Sequence, residues 1–219
     1  MKKSPAISFK YFFYDFIRVP GWPLFIWFRP KRIYLNKKTK KDFKGRLILM
    51  SNHITMKDPL YLIVSIGPRR HHFLATKEMF EKSKFTRWLF TYAFLSIEVD
   101  RDNFGLEKLR EIASHLEKEE MVTIFPEGHV NIEKTKLNAF KGGMAMLALM
   151  TGSPIIPVFI KKKEHWYSRL TTYIGEAIDV KNICPNKKFT TNDIKVISKL
   201  MEEKELELEM LCNKDKKSR

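Results

Sequence analysis

Six short apolar runs punctuate the chain at intervals that suit buried strands: 46–50 (RLILM), 72–76 (HFLAT), 95–99 (LSIEV), 121–125 (MVTIF), 155–160 (IIPVFI) and 171–175 (TTYIG). Between them the spacing changes to a helical one. Leu109, Ile112, Ala113 and Leu116 fall at i, i+3, i+4 and i+7 within 104–118, with Asp102 or Asn103 as the cap. Residues 138–150 form a small-residue, Met-rich helix that stops near Gly152-Ser153-Pro154, and a charged helix occupies about 190–211. Strands alternating with helices predict an α/β fold, a mixed and largely parallel sheet flanked by helices. In such sheets reacting groups gather beyond the carboxyl ends of strands.

The first thirty residues depart from this rhythm. In 11–28 (YFFYDFIRVPGWPLFIWF) nine of eighteen residues are aromatic, against 13% in the whole chain. Asp15 and Arg18 would each cost roughly 2.5–3.5 kcal/mol at a bilayer centre, and Pro20 and Pro23 interrupt a helix, so a single span is disfavoured. The pattern predicts two short pieces joined at Pro20-Gly21-Trp22-Pro23 and lying in the membrane interface. An amphipathic helix capping the core is the plainer alternative. Basic residues follow at once, from Arg29, Lys31 and Arg32 to Lys44 and Arg46. Three parts are expected: 1–35, an aromatic and basic membrane-associating segment; 36–190, the main domain; and 191–219, a charged helix with a basic tail.

Composition narrows the partners. The chain has 219 residues, 44% of them hydrophobic, enough for a buried core. Its 41 basic and 25 acidic residues leave a net charge of +16, which points to a polyanion, either nucleic acid or an anionic lipid surface. No aromatic-laced RNA-binding strand motif occurs, and the aromatics concentrate at one end, so lipid is favoured and nucleic acid is not expected. Two cysteines and six scattered histidines give no metal-ligand spacing, so no metal is expected. No signal-peptide pattern opens the chain, which predicts a peripheral or monotopic protein on the cytoplasmic face of a membrane.

Chemistry concentrates at strand ends. After 46–50 comes Ser51-Asn52-His53-Ile54-Thr55-Met56-Lys57-Asp58-Pro59. His53 and Asp58 meet only if the histidine lies in the turn and the aspartate at the mouth of the next helix, where Pro59 suits the first helical position. The carboxylate would then hold one imidazole nitrogen and leave the other to take a proton from a hydroxyl. Read alone, the same residues also describe a helix cap and a loop histidine. After 121–125 comes Phe125-Pro126-Glu127-Gly128-His129, where the glycine permits close approach of a ligand; a plain turn fits as well. After 95–99, Arg101 could grip a phosphate or pair with Asp100 and Asp102.

The order is more informative than any one block. His-x4-Asp, a strand-terminal Arg, Phe-Pro-Glu-Gly and an Ile-Pro-Val strand resemble the four blocks of the 1-acylglycerol-3-phosphate acyltransferase family, from about Leu47 to Val158. The resemblance implies transfer of a fatty acyl group from acyl-CoA or acyl carrier protein to a hydroxyl of a lysophospholipid, without a bound cofactor. It implies His53 as general base and Asp58 as its partner. Arg101, Glu127 and Gly128 would serve the acceptor, and Ile156, Pro157 and Val158 would lie near the acyl chain. Family members commonly continue Phe-Pro-Glu-Gly with Thr-Arg, whose arginine helps bind the acceptor phosphate; here His129 and Val130 follow. Lys134, Lys136 or Lys141 could supply the missing cation, or the acceptor is a different lipid. A non-catalytic basic binding protein is the competing class.

Overall fold

The computed structural model describes residues 11–18, 30–67, 69–100, 105–126, 134–162, 168–184 and 189–217, with the side chains of 17, 18, 134–140, 216 and 217 left out of the description. Helix α1 (Phe12–Arg18) precedes strand β1 (Lys31–Tyr34), a 3₁₀ turn (Lys37–Lys41) and β2 (Leu47–Ser51). There follow α2 (Asp58–Ile66), β3 (His71–Thr76), α3 (Lys77–Glu81), α4 (Lys84–Trp88) with a π-helical turn (Leu89–Ala93), and β4 (Ile97–Val99). The second half runs α5 (Leu106–Glu117), β5 (Met121–Ile124), α6 (Lys134–Thr151), β6 (Ile155–Ile160), β7 (Thr171–Ile174), α7 (Val180–Ile183) and α8 (Thr191–Lys217).

The strands form one seven-stranded sheet in the order β1-β7-β6-β2-β5-β3-β4. Every neighbouring pair is parallel except β6 with β7. The fold is therefore α/β, with a mixed, largely parallel sheet, as the alternating pattern predicts. All six expected strands form. The seventh, β1, was not expected, because Lys-Arg-Ile-Tyr carries two cations; at the sheet edge, paired only with β7, such a strand is tolerated.

Side chains alternate across the sheet and divide the core in two. On one face Leu47, Leu49, Met121, Phe73, Ile156 and Val158 pack with Leu62, Ile63 and Ile66 of α2. On the other, Ile48, Met50, Val122 and Ile124 meet Leu109, Ile112, Ala113 and Leu116 of α5 and the small-residue face of α6. Ala145 and Ala148 of α6 are fully buried, which lets that helix approach the strands closely. Gly152 ends α6 at φ +61°, a left-handed position that favours glycine.

Helix α1 is fastened to the rim formed by the amino ends of β3 and β5. The Tyr14 hydroxyl accepts from His71 N at 3.1 Å, Arg70 forks onto Asp15 at 2.6 and 3.2 Å, and Tyr11 reaches Glu120 at 2.9 Å. Tyr14 is 1% exposed, so this stretch caps the core on one side. Its other side is aromatic and open, with Phe12 stacked on Phe16 and both exposed.

Candidate active site

At the carboxyl end of β2 the chain leaves the sheet through Asn52, a buried amide held on both sides. Its Nδ2 donates to Ile160 O at 3.1 Å and its Oδ1 accepts from Ile160 N at 2.7 Å, which ties the turn to the end of β6. The next residue, His53, is thereby set at the rim of the sheet.

Asp58 opens α2 with Pro59 in the first turn, but its carboxylate does not cap the helix; Lys57 occupies the cap position. The carboxylate turns back into the loop. Oδ2 accepts from Ile54 N at 2.6 Å and Thr55 N at 2.7 Å, and stands 3.0 Å from His53 Nδ1. Oδ1 accepts from Thr55 Oγ1 at 2.9 Å. An oxygen that already receives two amide protons is an acceptor, so the imidazole donates through Nδ1 and leaves Nε2 basic in the neutral ring. The Asp58 side chain is 1% exposed and that of His53 15%, so the carboxylate is dry while the imidazole can be reached. The nearby Tyr61 phenol is raised above its ordinary value of 10.0, first by burial and then by the Asp58 charge.

Phe125 completes the seat. Its ring stacks on His53 with centroids 4.4 Å apart and planes 23° apart, and lies nearly parallel to Phe73 at 6.2 Å. The phenylalanine of the Phe-Pro-Glu-Gly block thus supports the imidazole directly, a role its sequence position did not disclose. The two motifs adjoin because β2 and β5 are paired neighbours, Met50 opposite Ile124.

The remaining expected site residues are distributed unevenly. Ile156 and Val158 lie on the same face as Phe125, fully or almost fully buried, whereas alternation sends Pro157 to the opposite face against Gly175 and α8. Lys141 is buried in the layer of α5, α6 and α8, with its ammonium 3.5 Å from Glu202 and 3.3 Å from Glu205. Arg101, Glu127, Gly128, His129 and Val130 lie outside the described residues, as do Asp102 and Asn103, the expected cap of α5.

Comparison with known proteins places this geometry. A family model described as Acyltransferase matches residues 32–161, more than half of the chain. The 1-acyl-sn-glycerol-3-phosphate acyltransferase of Streptococcus pneumoniae (strain ATCC BAA-255 / R6) is 27% identical over 157 residues, 69% of this chain and 56% of that protein. The enzyme of the same name from Bacillus subtilis (strain 168) is 30% identical over 112 residues, 50% of this chain and 53% of that protein. The chain thus spans about half the length of the curated relatives it matches. The crystal structure of the 1-acyl-sn-glycerophosphate (LPA) acyltransferase PlsC from Thermotoga maritima aligns with a TM-score of 0.54 at 20% identity, covering 86% of this chain and 78% of that one. At that identity the likeness shows the fold. With the matched region holding both the His53–Asp58 pair and Phe125, the chain belongs to the acyltransferase family that includes the 1-acylglycerol-3-phosphate acyltransferases.

Proposed function

We propose that this protein transfers a fatty acyl group from an acyl thioester, carried on coenzyme A or acyl carrier protein, to the free hydroxyl of a lysophospholipid of the 1-acylglycerol-3-phosphate type. The observation that carries the reading is the His53–Asp58 pair, 3.0 Å apart, with the carboxylate fixed by the turn itself. Nε2 of His53 takes the acceptor's hydroxyl proton as that oxygen attacks the thioester carbonyl. The carbon–oxygen bond forms, the carbon–sulfur bond breaks, and the imidazolium returns the proton to the departing thiolate. Asp58 fixes the tautomer and stabilises the transient imidazolium. A positioned base contributes about 10²–10⁴-fold. No covalent acyl-enzyme is required.

The work would take place on the cytoplasmic face of a membrane. Exposed Phe12, Phe16, Phe85 and Tyr92 support this, linked through Phe13 and Trp88 into one aromatic surface on α1, α4 and the π-helical turn. The net charge of +16 suits an anionic leaflet. Among the described residues no helix is long and apolar enough to cross a membrane.

A second acceptor reading rests on one observation. Val130 stands where family members commonly carry a phosphate-binding arginine, which favours a lipid alcohol recognised without that contact. One experiment decides between the acceptors and tests the chemistry. The purified protein is incubated with a panel of lysolipids and both donor types, and products are read by mass. Product from 1-acylglycerol-3-phosphate supports the first reading, and product from other lysolipids alone supports the second. His53→Ala is expected to abolish transfer while liposome binding persists; turnover in that variant overturns the mechanism.

A further inference from the structure

At the rim opposite His53, three side chains remote in sequence converge. His72 is the second residue of β3, His115 lies in the last turn of α5, and Glu120 immediately precedes β5. Glu120 Oε2 stands 3.2 Å from His72 Nε2 and 2.6 Å from His115 Nδ1. The imidazole rings lie 4.6 Å apart. The ligand-capable atoms of all three fall within 4.8 Å of one another. We propose that His72, His115 and Glu120 form a binding site for a divalent transition-metal ion of the zinc type, separate from the catalytic pair.

The donor set is the first argument. Two imidazoles and one carboxylate are borderline ligands that suit Zn²⁺ and disfavour Mg²⁺ or Ca²⁺, which prefer oxygen. Distance is the second. Ligand atoms about 2.0–2.2 Å from a tetrahedral ion stand about 3.3 Å apart. The 3.2 Å separation already matches, and the 2.6 Å contact opens by less than an ångström. Each ring would coordinate through the nitrogen now facing Glu120 and carry its proton on the other. The environment is the third argument. The Tyr11 hydroxyl donates to Oε1 at 2.9 Å, orienting the carboxylate so that Oε2 points between the rings, as outer partners of metal ligands do. His72 is almost fully buried, while His115 and Glu120 remain partly open, which leaves an entry path and room for a water ligand.

A bound ion would clamp β3, α5 and the start of β5 and, through Tyr11, secure the approach to α1. Its role would be structural, because it lies across the sheet from His53.

The test uses the untagged full chain, stripped with chelator and titrated with ZnCl₂ and CoCl₂. The expected results are one Zn²⁺ per chain, a raised melting temperature, and visible Co²⁺ bands of tetrahedral intensity. Affinity should fall by more than about 100-fold in His115→Ala and Glu120→Gln and by roughly 10-fold in Tyr11→Phe, since outer partners are worth about 10–100-fold. His53→Ala should bind as the parent does. Circular dichroism verifies that each variant is folded. Zinc bound equally by parent and by folded His115→Ala, or no stoichiometric binding by the parent, overturns the proposal. Neither outcome bears on acyl transfer.

Discussion

Asp58→Asn isolates the charge of the carboxylate from its shape. Oδ2 receives two backbone amides as well as the imidazole, so an asparagine placed there must present its oxygen to Ile54 N and Thr55 N. Its NH₂ then faces Thr55 Oγ1, a hydroxyl able to accept instead of donate. His53 keeps its Nδ1–H tautomer, and what disappears is the negative charge opposite the forming imidazolium. Hydrogen bonds to a charged group are worth about 1.5–3 kcal/mol and neutral ones about 0.5–1.5. Summed over the turn, Asp58→Asn should lower stability by about 1–3 kcal/mol. Transfer should slow by about 100-fold, or about 2.7 kcal/mol of barrier at 1.36 kcal/mol per decade. Asp58→Ala differs in kind. It leaves two partly buried amides without their acceptor, at up to about 1–3 kcal/mol each, loosens the loop, and should lose as much activity as His53→Ala. The assay is single-turnover acyl transfer from a thioester, with urea unfolding run alongside. Two results would refute the reasoning: activity of folded Asp58→Asn within about threefold of the parent, or a loss as deep as that of His53→Ala. The second would mean that the amide group had turned its NH₂ to the imidazole.

Other consequences can be checked separately. In Asp58→Asn the Tyr61 phenol should titrate nearer its ordinary value, by the smaller, charge-derived part of its shift; ¹³C-tyrosine NMR reads this, and an unchanged titration would contradict it. Phe125→Leu keeps an apolar side chain but removes the 4.4 Å stack on His53, at about 0.5–1.5 kcal/mol for the aromatic pair, so turnover should drop several-fold with little loss of melting temperature. Asn52→Ala leaves the amide and carbonyl of Ile160 unmet, and urea unfolding should register about 2–4 kcal/mol, far above the effect of a surface change. At Gly175 an added Cβ would come within 2.8 Å of Pro157 Cγ, so Gly175→Ala should destabilise measurably in the same assay.

The parts legible from sequence were those with strong local period. The apolar strands announced themselves because each lies in a sheet covered on both faces, and the i, i+3, i+4, i+7 set of α5 is buried as spaced. The meeting of His53 and Asp58 followed from Pro59, since proline near a helix start fixes where the aspartate must lie. Other features depended on tertiary context. β1 is held by its partner strand more than by its own residues. The strand read as 95–99 begins only at Ile97, because Leu95 adopts a left-handed φ of +49°. Asp58 stands where propensity alone favours a helix cap, yet the amides of Ile54 and Thr55 claim its carboxylate. The convergence of His72, His115 and Glu120 leaves no trace in spacing, since its members come from three different elements.

The antiparallel pairing of β7 with β6 reverses the edge of the sheet. Because β1 follows β7, Lys31 and Arg32 begin their strand beside the end of β6, on the border that carries His53, while α1 is moored at the opposite border. Three strand spacings of about 4.8 Å separate β1 from β2, so these two cations lie roughly 14 Å along the sheet from the turn. The polypeptide therefore delivers positive charge to the working edge through a strand direction, without a dedicated loop.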